Sequence, residues 1–363
     1  EGDYDDLLPE GCRMLLGPGF ALLRSQFAKA RPEALERRKG AASVRRILVF
    51  MGGSDPNNVT RLILESIERS ALPDEIVIDV VLGASSPFLS ETRDRAADWK
   101  RTVRVHAFVP DMADLMRQSD IAVGAAGSAA WERCCLGLPS LLFVVAENQR
   151  DNISVLASSG AAFDMGSLEN LSRRKSISAL IDLCRNRAKR AKMTRASASL
   201  CDGLGAHRVV LSLMPSDGPV CFRLATVDDA DVMLSWQTHP DTRRYFRNPG
   251  SPTLEEHGKW LRDILQDPNR ILYMIENNGT PIGNLRLNRL NDREGFEVNI
   301  VIDPRLHGRG LGFAAILLAR RLHCRKKLWA EIMPENLASK AVFEKAGFIS
   351  AHGHWYVSEV INH

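Results

Sequence analysis

The 363-residue sequence has no paired-cysteine signature: its seven cysteines are odd in number, with no CxxC and no CxxxH spacing. That argues against a disulfide framework and a zinc site. Buried, reduced thiols in a cytoplasmic protein are the expectation. No apolar run approaches the roughly 20 residues that span a bilayer, so no membrane contact is expected. No signal-peptide pattern opens the chain, whose first residues include Glu1, Asp3, Asp5 and Asp6. Charge of one sign is not in surplus: the formal net charge of +4 points neither toward nor away from nucleic acid. The basic run from Arg185 to Lys192 reads as a solvated helix face, and no nucleic-acid partner is expected. Internal repeats and low-complexity tracts are also missing. Residue 1 is Glu, not Met, which fits a piece of a longer protein.

What is present is a globular composition, 45% hydrophobic and 25% charged, long enough for two or three domains. Two blocks have different grammar. In residues 1–215, short apolar runs alternate with helix-like segments. These runs are Arg46–Phe50, Ile76–Leu82, Val103–Phe108, Ile121–Val123 and Leu141–Val145. Buried strands separated by helices predict βαβ units and a parallel sheet. A basic helical stretch from Ser176 runs on to about Met214. The cluster Met214–Pro219 breaks the pattern, and 216–220 is the expected linker. Residues 221–363 read as α+β with mainly hairpin-linked strands, over Val220–Ala225, Ile271–Glu276, Pro281–Leu290 and Gly295–Ile302. Helical patterns cover Val227–Trp236 and Leu254–Gln266.

In the second block the strand ending at Ile300-Val301-Ile302 leads to His307-Gly308-Arg309-Gly310-Leu311-Gly312. Leu311, Ala314, Ala315, Leu318 and Leu322 follow at helical spacing. Three glycines at a strand-to-helix turn expose backbone N–H groups beside a helix N-terminus, a site for a pyrophosphate. A plain tight turn gives the same pattern. The next strand ends near Asn336, and Ser339, Phe343 and Gly347-Phe348 follow. Together these segments resemble the GNAT acetyltransferases over nearly the whole block. The resemblance implies acetyl-CoA as cofactor. Its pyrophosphate would lie on the amides of Gly308–Gly312 beside Arg309. Its pantetheine arm would lie along a strand, Val298–Ile302, splayed from its neighbour, with Asn336, Ser339 and Phe343 close by. His307 replaces the family's usual Gln or Arg, and Phe343 replaces the Tyr that often protonates the leaving thiolate. Glu297 on the central strand is the candidate base, directly or through water. It reads equally as a solvent-facing charge. Tyr356 is the second catalytic candidate, with His352 and His354 behind it, and His239 is expected to be structural. The opening Phe222-Arg223-Leu224, the stretch from Arg243 to Trp260 with Glu256-His257, and the strand Gly283–Leu290 resemble a branch that acetylates the 4-amino group of UDP-linked 4-amino-4,6-dideoxy sugars.

In the first block, three loops follow strands at the edge where open α/β sheets collect ligands. They are Gly52-Gly53-Ser54 with Asp55-Pro56-Asn57-Asn58, Gly127-Ser128 leading to Glu132, and Glu147-Asn148-Gln149 with Asn152. The glycines offer amides, the helix after Asn58 offers its N-terminus, Ser128 is a natural N-cap, and Glu132 suits ribose hydroxyls. Each loop taken singly also reads as ordinary turn chemistry. The set resembles the UDP-binding C-terminal half of the GT-B fold. More narrowly it is similar to the UDP-2,4-diacetamido-2,4,6-trideoxy-altropyranose hydrolases of pseudaminic acid synthesis, on Leu15–Arg24, Phe50–Pro56, Ala125–Ser128, Trp131-Glu132-Arg133 and Asp202–Gly205. Those hydrolases carry a further half with a glycine-rich loop and a catalytic His, and no such segment occurs in this sequence. The expectation is a Rossmann-type, GT-B-like domain that binds a UDP-amino-sugar without hydrolysing it, followed by an acetyltransferase domain. A GNAT acting on a protein amine beside a non-catalytic sugar-binding module is the alternative, and a homodimer is an open option.

Overall fold

The computed structural model describes residues 12, 14–40, 43–167, 173–213, 219–246 and 250–360. Of the breaker cluster Met214–Pro219, residues 214–218 lie outside them. The chain forms two compact units, Glu1–Val209 and Val210–His363.

The first unit alternates helix and strand: α1 (Ser25–Gly40), β1 (Arg46–Phe50), α2 (Val59–Glu68), β2 (Val77–Val81), α3 (Leu89–Ala97), β3 (Val103–His106), α4 (Met112–Gln118) and β4 (Ile121–Ala125). It continues with α5 (Ala129–Cys135), β5 (Ser140–Val144), α6 (Arg150–Ser158), β6 (Ala162–Ser167), α7 (Arg173–Arg185) and α8 (Arg187–Leu200). α9 (Gly205–Leu213) carries the chain past the unit boundary. The sheet order is β3-β2-β1-β4-β5-β6, and every pairing is parallel.

Both faces of this sheet are covered. Leu48, Ala122 and Leu142 face one core, while Ile47, Val49, Val123, Leu141 and Phe143 face the other. Alternate residues of each strand therefore bury on opposite sides, and the strands read as unbroken apolar runs. Each such fully buried aliphatic is worth about 1.5–3 kcal/mol. Strand order reverses between β1 and β4, which makes a crevice at their carboxyl ends.

The long basic helix of the sequence reading is three helices in the structure. Asn186 caps α8 by accepting from Lys189 N at 2.9 Å. Cys201–Leu204 then turns the chain, with Leu204 N held by Asp202 Oδ1 at 2.9 Å. β6 was not legible because Asp164 and Gly166 interrupt its apolar pattern.

The second unit runs β7 (Cys221–Leu224), α10 (Ala230–Thr238), α11 (Pro240–Arg243), α12 (Leu254–Gln266), β8 (Arg270–Asn277), β9 (Thr280–Arg289) and β10 (Phe296–Ile302). α13 (Leu311–Leu322), β11 (Leu328–Glu331), α14 (Leu337–Lys345), β12 (Ile349–Ser350) and β13 (Trp355–Ser358) complete it. The sheet order is β12-β13-β11-β10-β9-β8-β7, with β10 and β11 parallel and the other pairs antiparallel. One face packs Leu285, Leu287, Val298 and Ala330 against Ala315, Ile316 and Ala319 of α13. The other packs Leu272 and Met274 against Met233 and Trp236 of α10 and Leu261 and Ile264 of α12. A capping box at Thr253 and Glu256 starts α12 at the boundary the sequence predicts.

Candidate functional site

In the second unit β10 pairs with β9 along its whole length, from Phe296–Arg289 to Ile302–Gly283. Its parallel ladder with β11 holds only two pairs, Phe296–Leu328 and Glu297–Trp329. Past Glu297 the two strands part, and residues 298–302 have no β11 partner. Ile300 and Ile302 lean on the α13-side core, and Val301 on the opposite one.

The turn beyond β10 is exposed over residues 307–310. Gly308 and Gly310 have φ of 78° and 77°, a backbone region that favours glycine. A Cβ at either would meet no atom within 4 Å, so the space beside the turn is open. Gly310 is the N-cap of α13 and no side chain caps the helix, which leaves the first-turn amides outward. Leu311 and Gly312 open that helix, and Arg309 is exposed beside it. These features fit the diphosphate and extended arm of acetyl-CoA. His307 is used differently from the expectation of cofactor contact: its Nε2–H donates to Ile302 O at 3.1 Å and braces the strand end.

Asn336 caps α14, its side chain accepting from Ser339 N at 3.0 Å, so its Oδ1 is already committed within the chain. Phe343 is buried edge-on to Phe348 with ring centroids 4.9 Å apart, and brings no hydroxyl. Tyr356 lies opposite Ala330 and packs in the α13-side core.

Glu297 is on the other face. Its Oε2 accepts from Asn288 Nδ2 at 3.0 Å across the β9–β10 ladder. Asn299 stands opposite Arg286 one step along, and the Arg286 guanidinium lies 5.7 Å from the Trp260 ring. Trp260 stacks on His257 at 5.0 Å. Asn288 Oδ1, Asn299 Nδ2 and His257 Nε2 are buried without partners. Burial lowers the His257 pKa, so the ring stays neutral near pH 7. Two of these unmet atoms, on Asn288 and Asn299, share the strand face of the Glu297 carboxylate and call for a polar occupant. Sequence reasoning missed Asn288, Arg286 and Asn299. The signal was there, since Asn284, Arg286 and Asn288 alternate with the buried Leu285 and Leu287. Of the other candidates, His352 is exposed with its Nε2 3.4 Å from Arg293 Nη1, His354 is exposed, and His239 caps α11.

In the first unit the three loops lie at the ends of β1, β4 and β5, next to each other in the sheet. Gly53 O accepts from Gly83 N at 2.7 Å, tying the first loop to the end of β2, and Ser54 is exposed. One expectation is corrected. The N-terminus of α2 is not open to a phosphate, because the buried Asp55 carboxylate accepts from Val59 N at 3.0 Å and Thr60 N at 2.8 Å. Ser128 is a second correction: it sits at the N-cap of α5 with helical φ and ψ and its hydroxyl makes no cap bond. Gln149 Oε1 accepts from Val145 N at 3.1 Å while its Nε2 covers Gly127. Asn152 Nδ2 donates to Ala126 O at 3.1 Å. Glu132 faces Arg24 at 3.6 Å, and burial raises its pKa against that pull. Among the described residues no cluster of three His, Cys, Asp or Glu could hold a metal, and no helix is long and apolar enough to cross a membrane.

Comparison with known proteins agrees with this division. Residues 220–349 match the acetyltransferase (GNAT) domain family, and residues 47–208 match the glycosyltransferase family 28 C-terminal domain. An uncharacterised protein of Methanocaldococcus jannaschii is 25% identical over 92% of this chain and 67% of its own length. Spore coat polysaccharide biosynthesis protein SpsG of Bacillus subtilis is 28% identical over 55% of this chain and 58% of its own length. The UDP-2,4-diacetamido-2,4,6-trideoxy-beta-L-altropyranose hydrolase of Campylobacter jejuni is 25% identical over 44% of this chain and 53% of its own length. The chain thus spans about half to two-thirds of each of these relatives. Among solved structures, aminoglycoside acetyltransferase AAC(6')-Ib with coenzyme A is 21% identical over 38% of this chain and 94% of its own, with a TM-score of 0.35. The same enzyme has also been solved with acetyl-CoA. The chain is a GT-B-like parallel-sheet domain followed by a domain of the GNAT acetyltransferase fold with a mixed sheet.

Proposed function

We propose that the second unit acetylates the 4-amino group of a UDP-linked 4-amino-4,6-dideoxy sugar, using acetyl-CoA, in the biosynthesis of pseudaminic or a related nonulosonic acid. The first unit holds a UDP-sugar through the loops after β1, β4 and β5. The observation that carries the acyl-transfer reading is the two-pair β10–β11 ladder opening beside an uncapped glycine turn. The sugar-nucleotide reading is supported by the glycosyltransferase-like match and by relatives named for polysaccharide and UDP-sugar chemistry.

Bound acetyl-CoA supplies an activated acetyl thioester. The chain's own groups do the rest. Amides of Gly308–Gly312 take the diphosphate, and the free edge of β10 aligns the arm. A sugar ammonium is mostly protonated near neutral pH and must lose a proton before it can attack. Glu297 takes that proton, directly or through water, and Asn288 fixes the orientation of its carboxylate. Asn299 and Asn288 offer their unmet polar atoms to the sugar. With Phe343 in the usual tyrosine's place, Tyr356 is the remaining hydroxyl candidate to protonate the thiolate.

Acetyl-CoA consumption with a UDP-4-amino-sugar, compared with peptides of varied N-terminus, tests the acceptor. Turnover on peptides alone would overturn the sugar assignment. Absence of UDP binding by the full chain would overturn the reading of the first unit.

A further inference from the structure

Arg133 lies under the reversal point of the first sheet, where no role has been given to it. Its side chain comes from α5 and is 1% exposed. Nη2 donates to Ala125 O, the last residue of β4, while Nε and Nη1 are buried without partners. The space it fills is reserved by the backbone. A Cβ on Gly124 would come within 2.7 Å of Arg133 Nη1 and 2.6 Å of Phe50 O, so the seam between β1 and β4 accepts only glycine there. The guanidinium therefore sits at the carboxyl end of that seam, beneath the loops that begin at Gly52 and Gly127.

No described carboxylate contacts it. Glu132, the neighbouring acid, turns its oxygen to Arg24, and Asp55 is engaged by the amides of α2. The charge of Glu132 favours the cation through space, yet burial outweighs it, and a buried cation with no ion pair in contact is costly. Burial pushes its pKa down to about 10, still far above neutrality, so the charge persists. Field lines from a charge in a low-dielectric seam emerge at the crevice, where salt screens them weakly.

We infer that Arg133 is the fixed counter-charge for the phosphate groups of a nucleoside diphosphate seated on the Gly52-Gly53 and Gly127 loops. It acts as a positioning residue from beneath the backbone, without itself reaching the ligand. The Ala125 carbonyl and the Glu132 charge offset part of the cost of burying it, and the arriving anion offsets more. It sharpens the reading that the first unit holds a UDP-sugar, and it rests on that reading. It also explains how a crevice whose neighbouring helix terminus is filled by Asp55 can still select an anion.

Calorimetric titration of the full chain with UDP, uridine and inorganic pyrophosphate tests it, comparing wild type with Arg133→Met and Arg133→Lys. Arg133→Met should weaken UDP and pyrophosphate by about tenfold or more, the scale of a through-space attraction between buried charges, and change uridine less than about twofold. Arg133→Lys should recover most of the loss. Equal weakening of uridine and UDP, or no weakening of UDP, would overturn the assignment. Should Arg133→Met fail to fold, the wild type still decides. UDP affinity that changes little between low and moderate salt fits a buried charge, whereas a steep fall assigns the phosphates to exposed cations and sinks the idea. A wild type that binds neither UDP nor uridine removes the nucleotide reading itself, and this inference with it.

Discussion

The two glycine turns look alike in sequence and differ in what they leave for a ligand. After β1, Gly52-Gly53-Ser54 leads to a helix whose first amides are filled by Asp55 from within the chain. After β10, Gly308-Arg309-Gly310 leads to a helix with no side-chain cap and open space around both glycines. One turn closes its helix terminus and relies on a buried arginine, while the other exposes its terminus directly. A glycine-rich turn before a helix is thus half a signal. The deciding half is whether a carboxylate a few residues upstream can fold back, as Asp55 does through its own positive φ of 41° and that of Asn58, 47°.

If the second turn opens onto chemistry and the first only onto binding, Glu297→Gln should have the largest effect. It should lower kcat for acetyl transfer by about 10²–10⁴-fold, the usual worth of a general base, with UDP binding by titration unaltered. An unchanged rate would make Glu297 a surface charge. Next, Gly310→Val forces a β-branched residue to positive φ at the open turn. Acetyl-CoA affinity should fall about 10–100-fold through one or two lost charge-assisted hydrogen bonds. Full retention of affinity would break the contrast.

Asp55→Ala tests the other side. Losing the cap should cost the first unit about 1–2 kcal/mol, a fall of roughly 2–8 °C in Tm by calorimetry, while acetyl transfer stays intact. A neutral result would mean that the amides of α2 are as free as those of α13.

The smallest effect concerns pH in the second unit. Burial holds His257 below its ordinary pKa, so the unfolded chain binds the proton more readily than the folded one. The folded state is favoured fully above about pH 6.5 and loses that advantage as pH falls through this value toward the folded pKa. Melting at about pH 7.5 and about pH 5.5 should show a smaller drop for His257→Gln than for the wild type.

Much of this was legible in advance because it is written in the spacing of apolar residues. Runs at 46–50 and 121–123 became β1 and most of β4, and the helical pattern at 254–266 became α12. β12 escaped because two residues carry no periodicity, and β13 because Trp355-Tyr356-Val357-Ser358 stands out in sequence for candidate side chains and not as a strand. In the sites, the glycine turns announced themselves and the details of hydrogen bonding did not. Whether Asn336 faces a ligand or its own helix, and whether His307 reaches outward or back to Ile302, depends on single rotamers that sequence does not encode. Arg133 enters the sequence reading only within Trp131-Glu132-Arg133, and its burial is what gives it a place of its own.

The parting of β10 from β11 has a bearing on how this chain can change. The opening is framed by main chain, so no exchange of side chains along it would close it. Closing it would take a shift of β11 along its neighbour, and a one-residue slip would turn Leu328 and Ala330 away from the interior they help fill. The gap is therefore guarded by the same residues that keep the domain folded. Side chains around the opening can be exchanged, and what fits there altered, while the breach in the sheet persists.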